Sequence, residues 1–107
     1  MRKVIRRPEA RRDIIAAATY IAEHAGFNAS ERFLKATDNA FDTLSLMPRM
    51  GVLRDYGNPD FAGMRMWPVP RFNKYLIFYL VTEEELEIVR VLHGARNIQE
   101  IFAPTEE

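Results

Sequence analysis

The segment from Arg71 to Asn97, RFNKYLIFYLVTEEELEIVRVLHGARN, constrains the fold more than any other part of the chain. Its first run, Tyr75-Leu-Ile-Phe-Tyr-Leu-Val81, is apolar or aromatic at every position and rich in β-formers. Such a run suits a central strand covered on both faces better than a half-solvated one. Thr82-Glu83-Glu84-Glu85 is too polar to bury and joins the run to a second β-rich segment, Leu86 to His93, which Gly94 ends. An antiparallel hairpin is the simplest connection. Side chains alternate along a strand, so Leu86, Ile88, Arg90 and Leu92 are expected on one face, and Glu87, Val89, Val91 and His93 on the other. Arg90 is then expected among apolar neighbours.

Upstream, Lys3-Val-Ile-Arg6 is a short strand candidate, and Pro8 presets a first helical turn in which its missing N–H costs nothing. Ile14, Ile15, Ala18, Ile21, Ala22 and Ala25 recur at helical spacing, and Gly26 is placed to end that helix. Asn28 is expected to cap a second helix, with Glu31 reaching back in a capping box. Phe33, Thr37, Ala40, Phe41 and Leu44 form its stripe, and Met47-Pro48 stops it. The short Gly26-Phe27 link makes the two helices an antiparallel hairpin. Arg49 to Gly63 shows no period and reads as a long loop, of the kind that either serves function or covers a core edge. Met64 to Val69 reads as an edge strand because Pro68 and Pro70 bound it, and Asn97 to Phe102 as a short helix or docked tail. The expected class is α+β: an N-terminal strand, an antiparallel helical hairpin, then a three-stranded antiparallel meander packed against the helices.

A chain of 107 residues with 48% apolar side chains is one domain, 1–107, with a core of modest stability. It has no cysteine and two histidines far apart in sequence, so no disulfide, metal or cofactor is expected. Fifteen basic and fifteen acidic residues cancel, leaving no overall field that draws it to nucleic acid or membrane. The basic start MRKVIRR runs into Pro8 and Glu9 instead of an apolar signal region, and no apolar run approaches about 18 residues. A soluble, cytoplasmic protein is expected. Its charge is uneven, since residues 1 to 12 carry Arg2, Lys3, Arg6, Arg7, Arg11 and Arg12 against Glu9 alone.

Strand pairing brings a hairpin's ends together, so Arg65, Trp67, Arg71, Arg90, His93 and Arg96 are candidates to converge on the open side of the sheet. Arginines beside a histidine and an aromatic suit RNA cleavage: cations offset phosphorane charge, a base takes the 2′-OH proton, and the ring stacks a base. Arginines close sheet edges and pair with acids more often than they stabilise transition states. No nucleophile elbow, P-loop, paired-carboxylate motif or HExxH occurs. These residues alone give no positive argument for an enzyme.

The pattern Tyr75-Leu-Ile-Phe-Tyr79, then Ile88-Val-Arg-Val-Leu-His-Gly-Ala-Arg96, preceded by the helical hairpin and the Arg65-x-Trp67 strand, resembles the ParE branch of the RelE/ParE toxin superfamily over nearly the whole chain. The resemblance implies a bacterial type II toxin–antitoxin module, a cognate antitoxin bound across the toxin, and DNA gyrase as the target. RelE-like ribonucleases share the fold, and Arg96 matches their arginine after the last strand. Leu76, however, stands at the arginine position of the strand before it, and Phe102 at the terminal tyrosine position. A phenyl ring stacks but exchanges no proton, so the first expectation is a non-enzymatic gyrase inhibitor. The second is an mRNA endoribonuclease using His93, Arg96 and Arg65, with His93 as base; the third is a non-toxic relative that keeps antitoxin binding. The resemblance further implies an antitoxin that offers an amphipathic helix and an extended tail. The outer side of the helical hairpin and the exposed sheet edge are expected to receive it, with Arg11, Arg12 and Arg71 pairing its acids and Trp67 as an anchor. Arg90, His93, Arg96 and Phe102 are expected to face the target.

Overall fold

Pro8 opens the first helix as its ring dictates, one residue after a four-residue strand ends. A computed structural model describes residues 1–105 and places β1 at Lys3–Arg6, α1 at Pro8–Ala25 and α2 at Phe27–Leu46. The strands β2 (Val52–Leu53), β3 (Arg65–Val69), β4 (Phe72–Val81) and β5 (Glu85–His93) follow, then a short α3 at Ile98–Ile101. The sheet has five strands in the order β1-β5-β4-β3-β2. Its meander β3-β4-β5 is antiparallel as expected, while β1 lies parallel to β5. The addition to the expected architecture is β2, whose two residues pair with Met66 and Arg65. Two residues carry no readable period.

The helical hairpin covers one face of the sheet. From α1 come buried Ala10, Ile14, Ala17, Ala18 and Ile21; from α2, Phe33, Thr37, Ala40, Phe41 and Leu44. Ile15, counted in the expected stripe, is instead 66% exposed. Gly26 alone links the helices, with φ +95°, a value that L side chains rarely adopt. Asn28 therefore lies inside the first turn of α2, and no side chain caps that helix. The expected capping box is absent because the single-residue link starts α2 two residues earlier. Ser30 ties the pair together by donating to the Ala18 carbonyl at 2.7 Å.

The expected alternation along β5 breaks at a bulge. Phe78 pairs with Arg90 but Tyr79 pairs with Ile88, so Val89 is the extra residue. Val91 consequently joins Leu86 and Ile88 in the helix-side core, and Leu92 joins Val89 in a second core on the opposite face. That second core gathers Met64, Phe78 and Phe102, with Tyr56 and Phe61 from the 49–63 loop packed on it. The loop thus covers a core face. Among the described residues no helix is long and apolar enough to cross a membrane.

Candidate functional site

The local geometry of β5 decides what Arg90 does. Pairing with β1 stops where the Arg7 N–H meets the Ile88 carbonyl at 3.0 Å, leaving the next edge donor of β5 without a strand partner. Asp13, on the first turns of α1, takes its place. Its carboxylate accepts the Val91 N–H at 3.0 Å and two guanidinium N–H groups of Arg90 at 2.7 and 2.9 Å. The two side chains are only 23% and 10% exposed. The hydrogen bonds to Asp13 raise the guanidinium pKa above its ordinary value against the opposing effect of burial. Arg90 is therefore spent inside the fold and is not presented to a target. Phe102 is not presented either: it is 1% exposed, with its ring against Phe61, Phe78 and Tyr56. An apolar ring at the end of a tail gains most by docking on the apolar back of the sheet.

His93, Arg96 and Arg65 do not assemble. His93 is partly buried at the end of β5, edge-on to Tyr75 at 5.2 Å, and its Nδ1 accepts the Ala95 N–H at 3.0 Å. The proton of the neutral ring then sits on Nε2, and the lone pair a general base needs is occupied by the turn. Burial, and next the Tyr20 phenol, push the Tyr75 phenol above its ordinary pKa. Arg96 is exposed just beyond, and its side chain makes no hydrogen bond or ion pair among the described residues. Arg65 pairs with Tyr79 whereas His93 pairs with Tyr75, four residues along β4, which is about 13 Å at the rise of a strand. Its guanidinium donates to the Gly51 carbonyl at 2.7 Å. The six residues expected on one open side are thus dispersed among a strand end, a helix contact, a turn and a loop anchor.

Trp67 is half-buried against the helix-side core, opposite Ile77. Arg71 is exposed at the tip of the β3-β4 turn with φ +69°, directly after Pro70, the combination of a type II turn. Arg11 and Arg12 are exposed near the start of α1, Ile15 and Tyr20 are exposed farther along it, and Phe27 is exposed at the start of α2, at the other end of α1. This surface combines cations with apolar side chains. No group of three or more potential metal ligands occurs among the described residues.

Residues that sequence reasoning did not single out organise the other edge. The Tyr79 hydroxyl donates to the Pro48 carbonyl at 2.6 Å and accepts the Gly51 N–H at 2.9 Å, holding the 3-10 turn at Pro48–Met50 and the start of β2. A Cβ on Gly51 would run into that hydroxyl. The available signal was a tyrosine with a hydroxyl to satisfy inside an otherwise apolar strand.

Known proteins of the same shape fit this geometry. The chain is similar to a solved structure described as "Chromosomal ParDE TA system from P. aeruginosa", with a TM-score of 0.70 at 17% identity. The match covers 87% of this chain and 96% of that one, and at such identity it speaks to the fold. A search of curated protein sequences gave no match. The family model for the ParE toxin of type II toxin–antitoxin system, parDE, matches residues 4–98, from β1 to the start of α3. The chain belongs to the ParE toxin family.

Proposed function

We propose that this chain inhibits DNA gyrase by binding it in the cytoplasm and is neutralised by a cognate antitoxin. The observation that carries the reading is membership of the ParE family over residues 4–98. The site geometry supports it against ribonuclease chemistry, since Arg65 lies far from His93 and the Nδ1 lone pair of His93 is already used. An amphipathic helix of the antitoxin lies along the outer side of the hairpin, its apolar side chains on Ile15, Tyr20 and Phe27 and its acids near Arg11 and Arg12. Arg96, exposed beyond β5, is the surface cation proposed to meet the target, and Arg71 at its strained turn is a second contact for antitoxin acids.

The test is a supercoiling assay with purified gyrase, the chain alone and then with the antitoxin encoded beside it. Inhibition or trapped cleaved DNA that the antitoxin reverses is expected. Normal supercoiling by a folded sample would sink the gyrase reading; antitoxin binding in that same sample would mark a non-toxic relative.

A further inference from the structure

Arg6, Arg7 and Arg90 are each paired with a carboxylate, whereas three other arginines meet where no carboxylate holds them among the described residues. Arg2, Arg49 and Arg65 line one groove of about 510 Å³ at the Thr82 end of the sheet, a volume that suits a small ligand. Arg2 precedes β1, Arg49 lies on the 3-10 turn after α2, and Arg65 opens β3. The Arg2 Nε donates to the Thr82 carbonyl at 2.8 Å, and the Arg65 Nη1 to the Gly51 carbonyl at 2.7 Å. Both forks are thus oriented by backbone, and each keeps further N–H groups free. The Arg49 side chain makes no hydrogen bond or ion pair among the described residues.

Glu83 is the one acid in the groove wall, so three guanidiniums against one carboxylate leave a net of two positive charges around the space. Like charges at close quarters repel, and a multivalent anion between them removes that cost. The rest of the wall is Pro48, Leu53, Gly63, Val81 and Thr82. No aromatic ring lines it, so a nucleobase finds no stacking platform there. A peptide would need an adjoining backbone edge, but the Arg54 N–H bonds inward to the Met64 carbonyl, and the outward groups of Leu53 face away from Arg2 and Arg65. A planar guanidinium fork matches the oxygens of a phosphate group. Arg65 sits opposite Tyr79 and Arg2 is fixed at Thr82, three residues along β4, about 10 Å at the rise of a strand. Two forks so spaced close on linked phosphates better than on one.

We propose that this groove binds the phosphate chain of a small polyphosphate, either free pyrophosphate or the di- or triphosphate of a nucleotide. Arg2 and Arg65 are the fixed ends of the clamp, and Arg49 is the arm that closes over the chain. A nucleoside, where one is attached, stays in solvent. The groove is largely preformed. The Tyr79 hydroxyl bonds both the Pro48 carbonyl and the Gly51 N–H, which fixes the turn that carries Arg49 and the carbonyl that holds Arg65. The freedom of the Arg49 side chain is then the main ordering cost of binding. The site goes beyond the gyrase and antitoxin reading and does not depend on it. Arg96 follows His93, which pairs with Tyr75, seven residues along β4 from Thr82 and about 23 Å away at the rise of a strand. Arg11 and Arg12 on α1 do not line the groove.

The experiment titrates the full chain by calorimetry with pyrophosphate, tripolyphosphate, ATP, orthophosphate and sulfate at physiological ionic strength. One-to-one binding of pyrophosphate is expected, at least about tenfold tighter than orthophosphate, with tripolyphosphate and ATP alike within a few-fold because the base adds no contact. Arg49→Ala should weaken pyrophosphate about tenfold, and Glu83→Gln, which removes the opposing carboxylate, should tighten it about threefold. Both positions are exposed, and circular dichroism of the two variants checks that they fold. No heat from the folded wild-type chain overturns the proposal, as does binding that Arg49→Ala leaves unchanged. Pyrophosphate held no better than sulfate would mark a merely cationic surface, and ATP held far better than tripolyphosphate would mean base recognition; either result also overturns it.

Discussion

The two edges of this sheet are finished in opposite ways. On the β5 side, Asp13 consumes the Val91 N–H left over when β1 ends and neutralises Arg90 in the same contact. Phe102 then seals the face behind Val89 and Leu92. On the β2 side, the backbone is held from within by Tyr79 and Arg65, yet the outward groups of Leu53 stay solvated. A backbone polar group costs free energy when buried without a partner and little when water reaches it. The closed edge therefore stabilises the fold, and the open one leaves the outward backbone groups of Leu53 to water.

The contrast can be broken from either side. The largest effect is expected for Phe102→Ala, which empties the centre of the second core and should cost about 3–5 kcal/mol in chemical denaturation. A loss below about 1 kcal/mol would mean that the tail is a detachable surface element. Asp13→Ala strands a mostly buried guanidinium and an edge N–H together, so roughly 3 kcal/mol is expected. Asp13→Asn keeps an acceptor and should lose less. Equal stability of both variants and wild type would show that α1 does not close this edge.

On the open side, Gly51→Ala pushes a methyl into the Tyr79 hydroxyl and should cost about 1–3 kcal/mol. Alkaline pH probes the same anchor. Burial raises the Tyr79 phenol above its ordinary pKa, against the opposing Gly51 hydrogen bond and the Arg65 charge, and burial also raises Tyr56 and Tyr75. A raised folded pKa contributes stability that is complete below the unfolded value of about 10 and is lost as pH rises through the folded value. The denaturation midpoint should accordingly fall above about pH 10, with a smaller slope in Tyr79→Phe. Least affected should be the fold of Leu53→Asp, within about 0.5 kcal/mol of wild type, since the side chain is already solvated. A large loss there would mean that the β2 edge is part of the core.

Much of this arrangement is legible in the amino-acid sequence. The apolar run from Tyr75 to Val81, followed by an acidic turn and a second β-rich run, dictates the β4-β5 hairpin, and the spacing from Phe33 to Leu44 dictates the buried stripe of α2. Other features fell below that horizon for specific reasons. A bulge at Val89 changes the face of every later residue, and nothing in IVRVL marks which residue is extra. Gly26 serves both helices at once, so the Asn28 capping signal lies two residues too late. The site residues were the hardest to place. Arg90 among apolar neighbours signals that a partner is needed, yet Asp13 stands 77 positions away and looks like any exposed helix acid.

The kinds of element, their order and the amphipathic faces are written locally in the chain, because they follow from periodicity and from the local chemistry of proline, glycine and β-branched residues. The family resemblance is local in the same sense, and residues 4–98 uphold it. Which polar groups are spent and which remain available is set by the packed fold. Arg90 and Arg65 are both arginines on strands, but one finds a carboxylate across the sheet edge and the other a carbonyl in a loop. That outcome depends on long-range register and on which edge a helix covers. No local pattern encodes either.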